Sequence, residues 1–148
     1  MATTRRADAT WSGDLLSGRG TVSAATTGLF RDLKTTWASR TGEPEGVTSP
    51  EELLAAAHAS CYSMAVSNEL AKAGTPPSRI AVTVAVTADK LESGWTVQSS
   101  AITVKGAAPG ATDASFQEAA NKAKDGCPIS KALKGNVYLS VEATLEPA

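Results

Sequence analysis

The sequence predicts an α+β fold with a largely antiparallel sheet and one long helix. Three observations carry that prediction. Short β-prone runs joined at glycines open the chain. An alanine-rich helical pattern with no internal breaker runs from about Pro50 to Ala73. Two alternating runs, 79–91 and 94–106, then follow one another directly. With 148 residues, the chain is long enough for a single domain, 1–148, with a substantial core.

The elements follow in order. "ATWSGDLLSGRGTVSAATTGLF" reads as a hairpin, its strands broken by glycine. "FRDLKTTWASR" reads as a third strand up to about Arg40, and "TGEPEGVTS" as a loop marked by Gly42, Pro44 and Gly46. Ser49 then suits a helix N-cap, Pro50 the first helical position, and Glu52 lies three residues after Ser49, which makes a capping box. Leu53, Leu54, Ala57, Cys61, Met64 and Ala65 fall at helical spacing, so Cys61 is expected on the apolar stripe. Gly74 and "TPP" stop the helix. In "RIAVTVAVTADKL", Ile80, Val82, Val84 and Val86 alternate with smaller or polar residues, as in a half-buried strand. "GWTVQSSAITVKG" is a second strand whose apolar phase slips near Ser99 and Ser100, the mark of a bulge. "ATDASFQEAANKAKDG" is a helix ending at Gly126. "CPISKAL" restarts as a short helix with Cys127 at or beside its N-cap and Pro128 first, and "NVYLSVEATLEP" is the last strand.

Composition narrows function. Net charge is −1 with both signs interspersed, unlike a polybasic nucleic-acid surface or a membrane-binding face. No window approaches a membrane span, and "MATTRRADATWSG" lacks the apolar core of a secretory signal. The expected location is the cytoplasm, where two cysteines favour catalytic or redox use over a permanent staple.

The chemistry therefore turns on the two cysteines. An apolar helix interior raises a thiol's pKa, so a reactive Cys61 needs a cation nearby. His58, the only histidine, is one turn behind it on the same face. Arg40, the arginine closest in sequence, can fold back across the Gly/Pro loop and stays charged when buried. Glu51 is free to orient an arginine, since Glu52 has the capping role. Yet ten residues of helix separate Glu51 from Cys61 by roughly 15 Å at about 1.5 Å per residue. Glu51 can serve Cys61 only across a two-fold axis, so a functional Glu51 implies a homodimer; otherwise it merely decorates the first turn. Cys127, at a helix N-terminus, sits where the dipole lowers a thiol pKa, which suits a resolving thiol. The residues alone equally allow Cys127 to be the primary nucleophile. A protease-like triad lacks a reachable orienting residue for His58, and a zinc site lacks a fourth ligand.

"SPEELLAAAHASCYSMAV" together with "AKDGCPISKAL" closely resembles the OsmC/Ohr family of thiol peroxidases, the OsmC branch in particular. The likeness extends to "WSGDLLSGRGTVS" and to the strand order. It implies an OsmC-like intertwined homodimer with sheets from both chains around paired long helices. It also implies reduction of organic hydroperoxides in preference to hydrogen peroxide. Cys61 matches the peroxidatic cysteine, Cys127 the resolving one, Glu51 the catalytic glutamate and Arg40 the branch's arginine. The segment between Arg40 and Glu51 is one residue longer than in that branch and Thr41 replaces an aromatic, which keeps Arg19 as the alternative arginine. Tyr62, in place of phenylalanine, is expected to matter little. Cys61 would attack the distal peroxide oxygen, Cys127 would condense with the sulfenic acid, and an external dithiol, for instance on a lipoylated protein, would reopen the disulfide. No metal, haem or flavin is implied. Two other readings stay open: a thiol redox sensor, and a non-catalytic dimeric binder of apolar ligands.

Overall fold

The computed structural model describes residues 1–148. The chain divides into two compact units, Met1–Leu53 and Leu54–Ala148.

In the first unit, β1 (Ala7–Ser12), β2 (Arg19–Ala24) and β3 (Leu33–Thr35) form an antiparallel sheet in that order. The expected hairpin is β1–β2. Asp14 closes its turn: its carboxylate accepts from the Leu16 and Ser17 N–H groups at 2.9 and 2.8 Å and from the Ser17 hydroxyl at 2.6 Å. Gly20 pairs with Trp11 across the hairpin, and a Cβ at Gly20 would lie 2.7 Å from the indole Cε3. Only glycine lets that ring lie over the neighbouring strand.

The third strand is shorter than the sequence suggests. It ends at Thr35, and a helix, α1 (Trp37–Thr41), follows it. Arg40 therefore sits on a helix, not on a strand. The cause is local: Thr36 is an extended N-cap whose side chain accepts from the Ser39 N–H at 3.0 Å, while Ser39 Oγ accepts from the Thr36 N–H at 3.2 Å. This reciprocal cap outweighs the β-propensity of Thr35, Thr36 and Trp37. Ser39 Oγ also lies within donating distance of two carbonyls, Thr36 at 2.9 Å and Thr48 at 3.1 Å. It thereby ties α1 to the segment that enters the long helix.

That helix, α2 (Pro50–Lys72), starts where Ser49 and Pro50 place it. Only half of the expected capping box forms. Ser49 Oγ accepts from the Glu52 N–H at 3.2 Å, but the Glu52 carboxylate takes the Thr48 hydroxyl at 2.6 Å. At the other end Gly74 adopts φ +80°, and the Thr75 N–H reaches the Leu70 carbonyl at 3.0 Å, the left-handed stop that glycine permits.

In the second unit α2 buries His58, Tyr62, Val66 and Leu70. This stripe has strict i, i+4 spacing and is rotated from the expected one. Cys61 and Ala65 are half-buried on its flank, Ala57 is exposed and Met64 is 66% exposed. So many residues of the helix are small and apolar that periodicity points to no single face, and the two polar members of the real stripe hide it.

β4 (Arg79–Leu91) and β5 (Gly94–Ala107) form a long antiparallel hairpin. Its register slips where Thr87 pairs with Ser99 and Ala88 with Val97, so Gln98 is the extra residue of a bulge beside the expected place. α3 (Asp113–Gly126) and α4 (Pro128–Leu133) lead to β6 (Tyr138–Leu145), which runs parallel to β5 at the sheet edge. The sheet is mixed rather than wholly antiparallel, because the two helices act as a crossover that returns the chain to the start of β5. Tyr62, Val66 and Leu70 pack with Ile102 and Val104 of β5 and with Phe116, Ala119, Ala120 and Ala123 of α3. The fold is α+β. No helix is long and apolar enough to cross a membrane.

Candidate active site

Each unit holds one pair of the expected site residues. In the first unit Arg40, in the last turn of α1, meets Glu51 in the first turn of α2. Arg40 Nε donates to Glu51 Oε1 at 2.8 Å, and Nη2 lies 2.8 Å from the same oxygen. The guanidinium carbon is 5.7 Å from the Trp37 ring centroid, so the cation rests on an aromatic neighbour. The Glu51 side chain is 12% exposed, and its second oxygen, Oε2, is buried without a hydrogen-bond partner. An unsatisfied buried carboxylate oxygen is costly. Beside this pair is a cavity of about 300 Å³ lined by Trp11, Leu15, Trp37, Arg40 and Pro50 among others. Arg19, the alternative arginine, pairs with Ser12 in the β1–β2 ladder, and no contact joins it to Glu51.

In the second unit the two cysteines meet. Cys127 is the N-cap of α4, fully buried, and its thiol donates to Cys61 Sγ at 3.0 Å. Both are free thiols. Burial pushes the Cys61 thiol up, and the hydrogen bond from Cys127 adds to the shift; the backbone N–H of Ile129, in the first turn of α4, opposes it. A groove of about 520 Å³ opens beside Cys61, lined by Met64, Ala65, Ala123 and Pro128 together with Asn68, Glu69 and lysines, Lys131 among them.

His58 is the residue whose place the sequence does not disclose. It is fully buried, with Nδ1 2.7 Å from the Ser100 hydroxyl on β5 and Nε2 2.8 Å from the Ser130 hydroxyl on α4. Burial lowers its pKa, which favours the neutral ring. With both nitrogens engaged by serines, the imidazole is available neither as a base for Cys61 nor as a metal ligand. Tyr62 also does more than fill space: its hydroxyl donates to the Ala120 carbonyl of α3 at 2.9 Å, and burial pushes its pKa well up.

The two free thiols are in contact at one flank of α2, next to a groove. The family model described as OsmC-like protein matches residues 42–142. The chain is 37% identical to Peroxiredoxin OsmC of Escherichia coli (strain K12) over 142 residues, covering 96% of this chain and 98% of that one. It matches Peroxiredoxin OsmC of Shigella flexneri to the same extent. Among solved structures, the organic hydroperoxide resistance protein OhrB of Bacillus subtilis superposes with a TM-score of 0.70 at 24% identity, covering 94% of this chain and 98% of that one. An organic hydroperoxide resistance protein OsmC from Legionella pneumophila gives 0.69 at 23% identity, covering 97% and 99%. The chain belongs to the OsmC family and is a thiol-dependent peroxidase.

Proposed function

We propose that this peroxidase reduces organic hydroperoxides to alcohols, and hydrogen peroxide less well, with Cys61 as the peroxidatic thiol and Cys127 as the resolving one. The observation that carries the reading is the 3.0 Å contact between the two sulfurs. The Cys61 thiolate attacks the distal oxygen of the hydroperoxide. The O–O bond breaks, the alkoxide takes a proton and leaves as the alcohol, and Cys61 is oxidised to the sulfenic acid. The Cys127 thiol then attacks that sulfur, the S–O bond breaks, water leaves and a Cys61–Cys127 disulfide remains. An external dithiol, such as one on a lipoylated protein, reopens it by exchange and is itself oxidised.

In this reading residues 1–148 work as one domain in the cytoplasm, and two copies form a homodimer. Arg40, oriented by Glu51, stabilises the thiolate and polarises the O–O bond of the partner subunit's site. Three features support the exchange. The roughly 15 Å of helix between Glu51 and Cys61 argues against direct action within one copy. Glu51 Oε2 is buried without a partner. Met64, Ala56 and Ala57 of α2 are exposed, open to a second helix. Met64, Ala65, Ala123 and Pro128 in the lining of the groove beside Cys61 offer apolar surface to an alkyl tail. The names of the Bacillus and Legionella relatives agree with organic hydroperoxides as substrates.

The test is steady-state turnover with cumene hydroperoxide and with hydrogen peroxide, comparing lipoamide, thioredoxin and glutathione as reductants. A higher kcat/KM for the organic substrate is expected. Equal or better turnover of hydrogen peroxide would defeat the argument from the apolar residues of the groove.

A further inference from the structure

We infer that His58 is a positioning residue for disulfide closure: through Ser130 it holds α4, and with it Cys127, in register against Cys61. The inference rests on the peroxidase reading above. His58 and Cys61 are three residues apart on α2, and Cys127 and Ser130 are three apart at the start of α4. That spacing puts both members of each pair on one side of their helix. The four residues form two rungs between the helices: Nε2 to Oγ at 2.8 Å, and Sγ to Sγ at 3.0 Å.

The first rung adds a buried, directional tie to a helix otherwise held by Ile129 packing against the core and by the Ile129 N–H at Cys61. That helix, α4, is six residues long, too short to keep helical shape unaided. Its N-cap hangs from α3 through the Cys127 N–H to the Ala123 carbonyl at 2.9 Å. Apart from the thiols, His58–Ser130 is the side-chain hydrogen bond that joins α4 to α2. The far side of the ring is fixed by Ser100 of β5 at 2.7 Å, so the clasp is anchored in the sheet. A neutral imidazole has one N–H and one lone pair, so it donates to one serine and accepts from the other. Either serine hydroxyl can take either role, so both bonds survive a change of tautomer, and no chemical step of the proposed reaction uses the ring.

The clasp acts on the second step. In that step Cys127–SH and Cys61–SOH become the disulfide and water, and the rate depends on how often Cys127 Sγ stands within reach of Cys61 Sγ. The test compares Ser130→Ala with Ser100→Ala. Each deletes one buried hydroxyl bonded to His58, but only Ser130→Ala cuts the tie to α4. Reduced protein is mixed with one equivalent of cumene hydroperoxide and quenched over time with a sulfenic-acid trap, so that oxidation of Cys61 and closure are read separately by mass spectrometry. Loss of one net hydrogen bond should slow closure about tenfold in Ser130→Ala, and less than about threefold in Ser100→Ala. Oxidation of Cys61 should stay within about threefold of wild type in both. Simple destabilisation would not produce that split.

A second arm needs no hydroperoxide. Oxidised glutathione forms a mixed disulfide at Cys61, and Cys127 resolves it, releasing reduced glutathione. The same ordering of rates is expected. If wild-type protein fails to consume hydroperoxide, the peroxidase reading falls while this arm still decides the clasp. Amide exchange in the reduced protein gives a third reading. Protection of the Lys131 and Lys134 N–H groups, both bonded within α4, should drop about tenfold in Ser130→Ala while Phe116 in α3 is unchanged. Closure in Ser130→Ala as fast as wild type, or slowed no more than in Ser100→Ala, would overturn the inference, as would unchanged protection of α4.

Discussion

Moving the protein from about pH 7.5 to about pH 5.5 takes it through the range in which histidine titrates, and the chain has one histidine, His58. In the fold the ring is buried between two serine hydroxyls, with no carboxylate at hydrogen-bonding distance, and burial lowers its pKa below the ordinary 6.5. The sign follows. Below pH 6.5 the unfolded chain takes up a proton at His58 that the folded chain resists, so acid favours unfolding. The stability held by the neutral ring is complete above that value. It declines as the pH falls below it, until the folded-state pKa is passed. The slope from one such group is at most about 1.4 kcal/mol per pH unit. Urea unfolding of reduced protein at steps across the interval measures it. His58→Gln should be less stable at the higher pH but flat across the same range. A flat wild-type profile, or the same slope in the variant, would refute the argument that a neutral His58 is built into the core.

Cys61→Ser should abolish turnover, because a hydroxyl forms neither a thiolate nor a sulfenic acid; residual turnover near wild type would remove Cys61 from its role. Cys127→Ser should consume about one equivalent of hydroperoxide and stall as a trappable Cys61 sulfenic acid. A trapped Cys127 in Cys61→Ser, and not the converse, would reverse the two assignments. Tyr62→Phe should cost about 1 kcal/mol through the lost bond to the Ala120 carbonyl, lowering the melting temperature by about 2–4 °C; an unchanged midpoint would show that the bond contributes nothing. Mixing inactive Cys61→Ser with impaired Glu51→Ala subunits should restore activity once exchange is demonstrated, since one interface then carries an intact set; no recovery would confine Glu51 to its own chain or to no role.

What the sequence disclosed follows the range of the forces involved. Ser49 and Pro50 opened α2 at the right residue, and Gly74 with its left-handed backbone closed it, because caps are written locally. Alternation in 79–91 and 94–106 marked β4 and β5, and the slip in phase near Ser99 marked the bulge. α1 escaped because Thr35, Thr36 and Trp37 carry β-propensity; the signal that would have found it is Thr36 with Ser39 three residues on. The direction of β6 was not legible, since a crossover and a return look alike in one dimension. Apolar periodicity does not mark the buried face of α2 because two of its residues, His58 and Tyr62, are polar. Their partners, Ser100, Ser130 and Ala120, lie 42, 72 and 58 residues away, where no local pattern reaches. For the same reason the meeting of Cys61 with Cys127, 66 residues apart, was expected from family resemblance and not from spacing.

The energetics of Cys61 bear on why the proposed site would need two copies. Burial makes its thiolate harder to form, and the one nearby group that favours the anion is the Ile129 N–H. A single backbone donor is a weak counterweight to desolvation. Lys72 and Lys122 at the groove edge are paired with Glu69 and Glu118, which partly cancels their field. The strong cation of the expected set, Arg40, is held with Glu51 in the first turn of α2, ten residues before that thiol in sequence. It is already ordered by two contacts on one oxygen while the other oxygen stays unsatisfied. Pre-ordering a guanidinium in this way costs its entropy once, before substrate arrives. A thiol kept protonated until such a cation is docked against it is protected from stray oxidants in an unassembled chain. On the proposed reading, assembly of the dimer is therefore the event that turns a half-buried, protonated cysteine into a peroxidatic one.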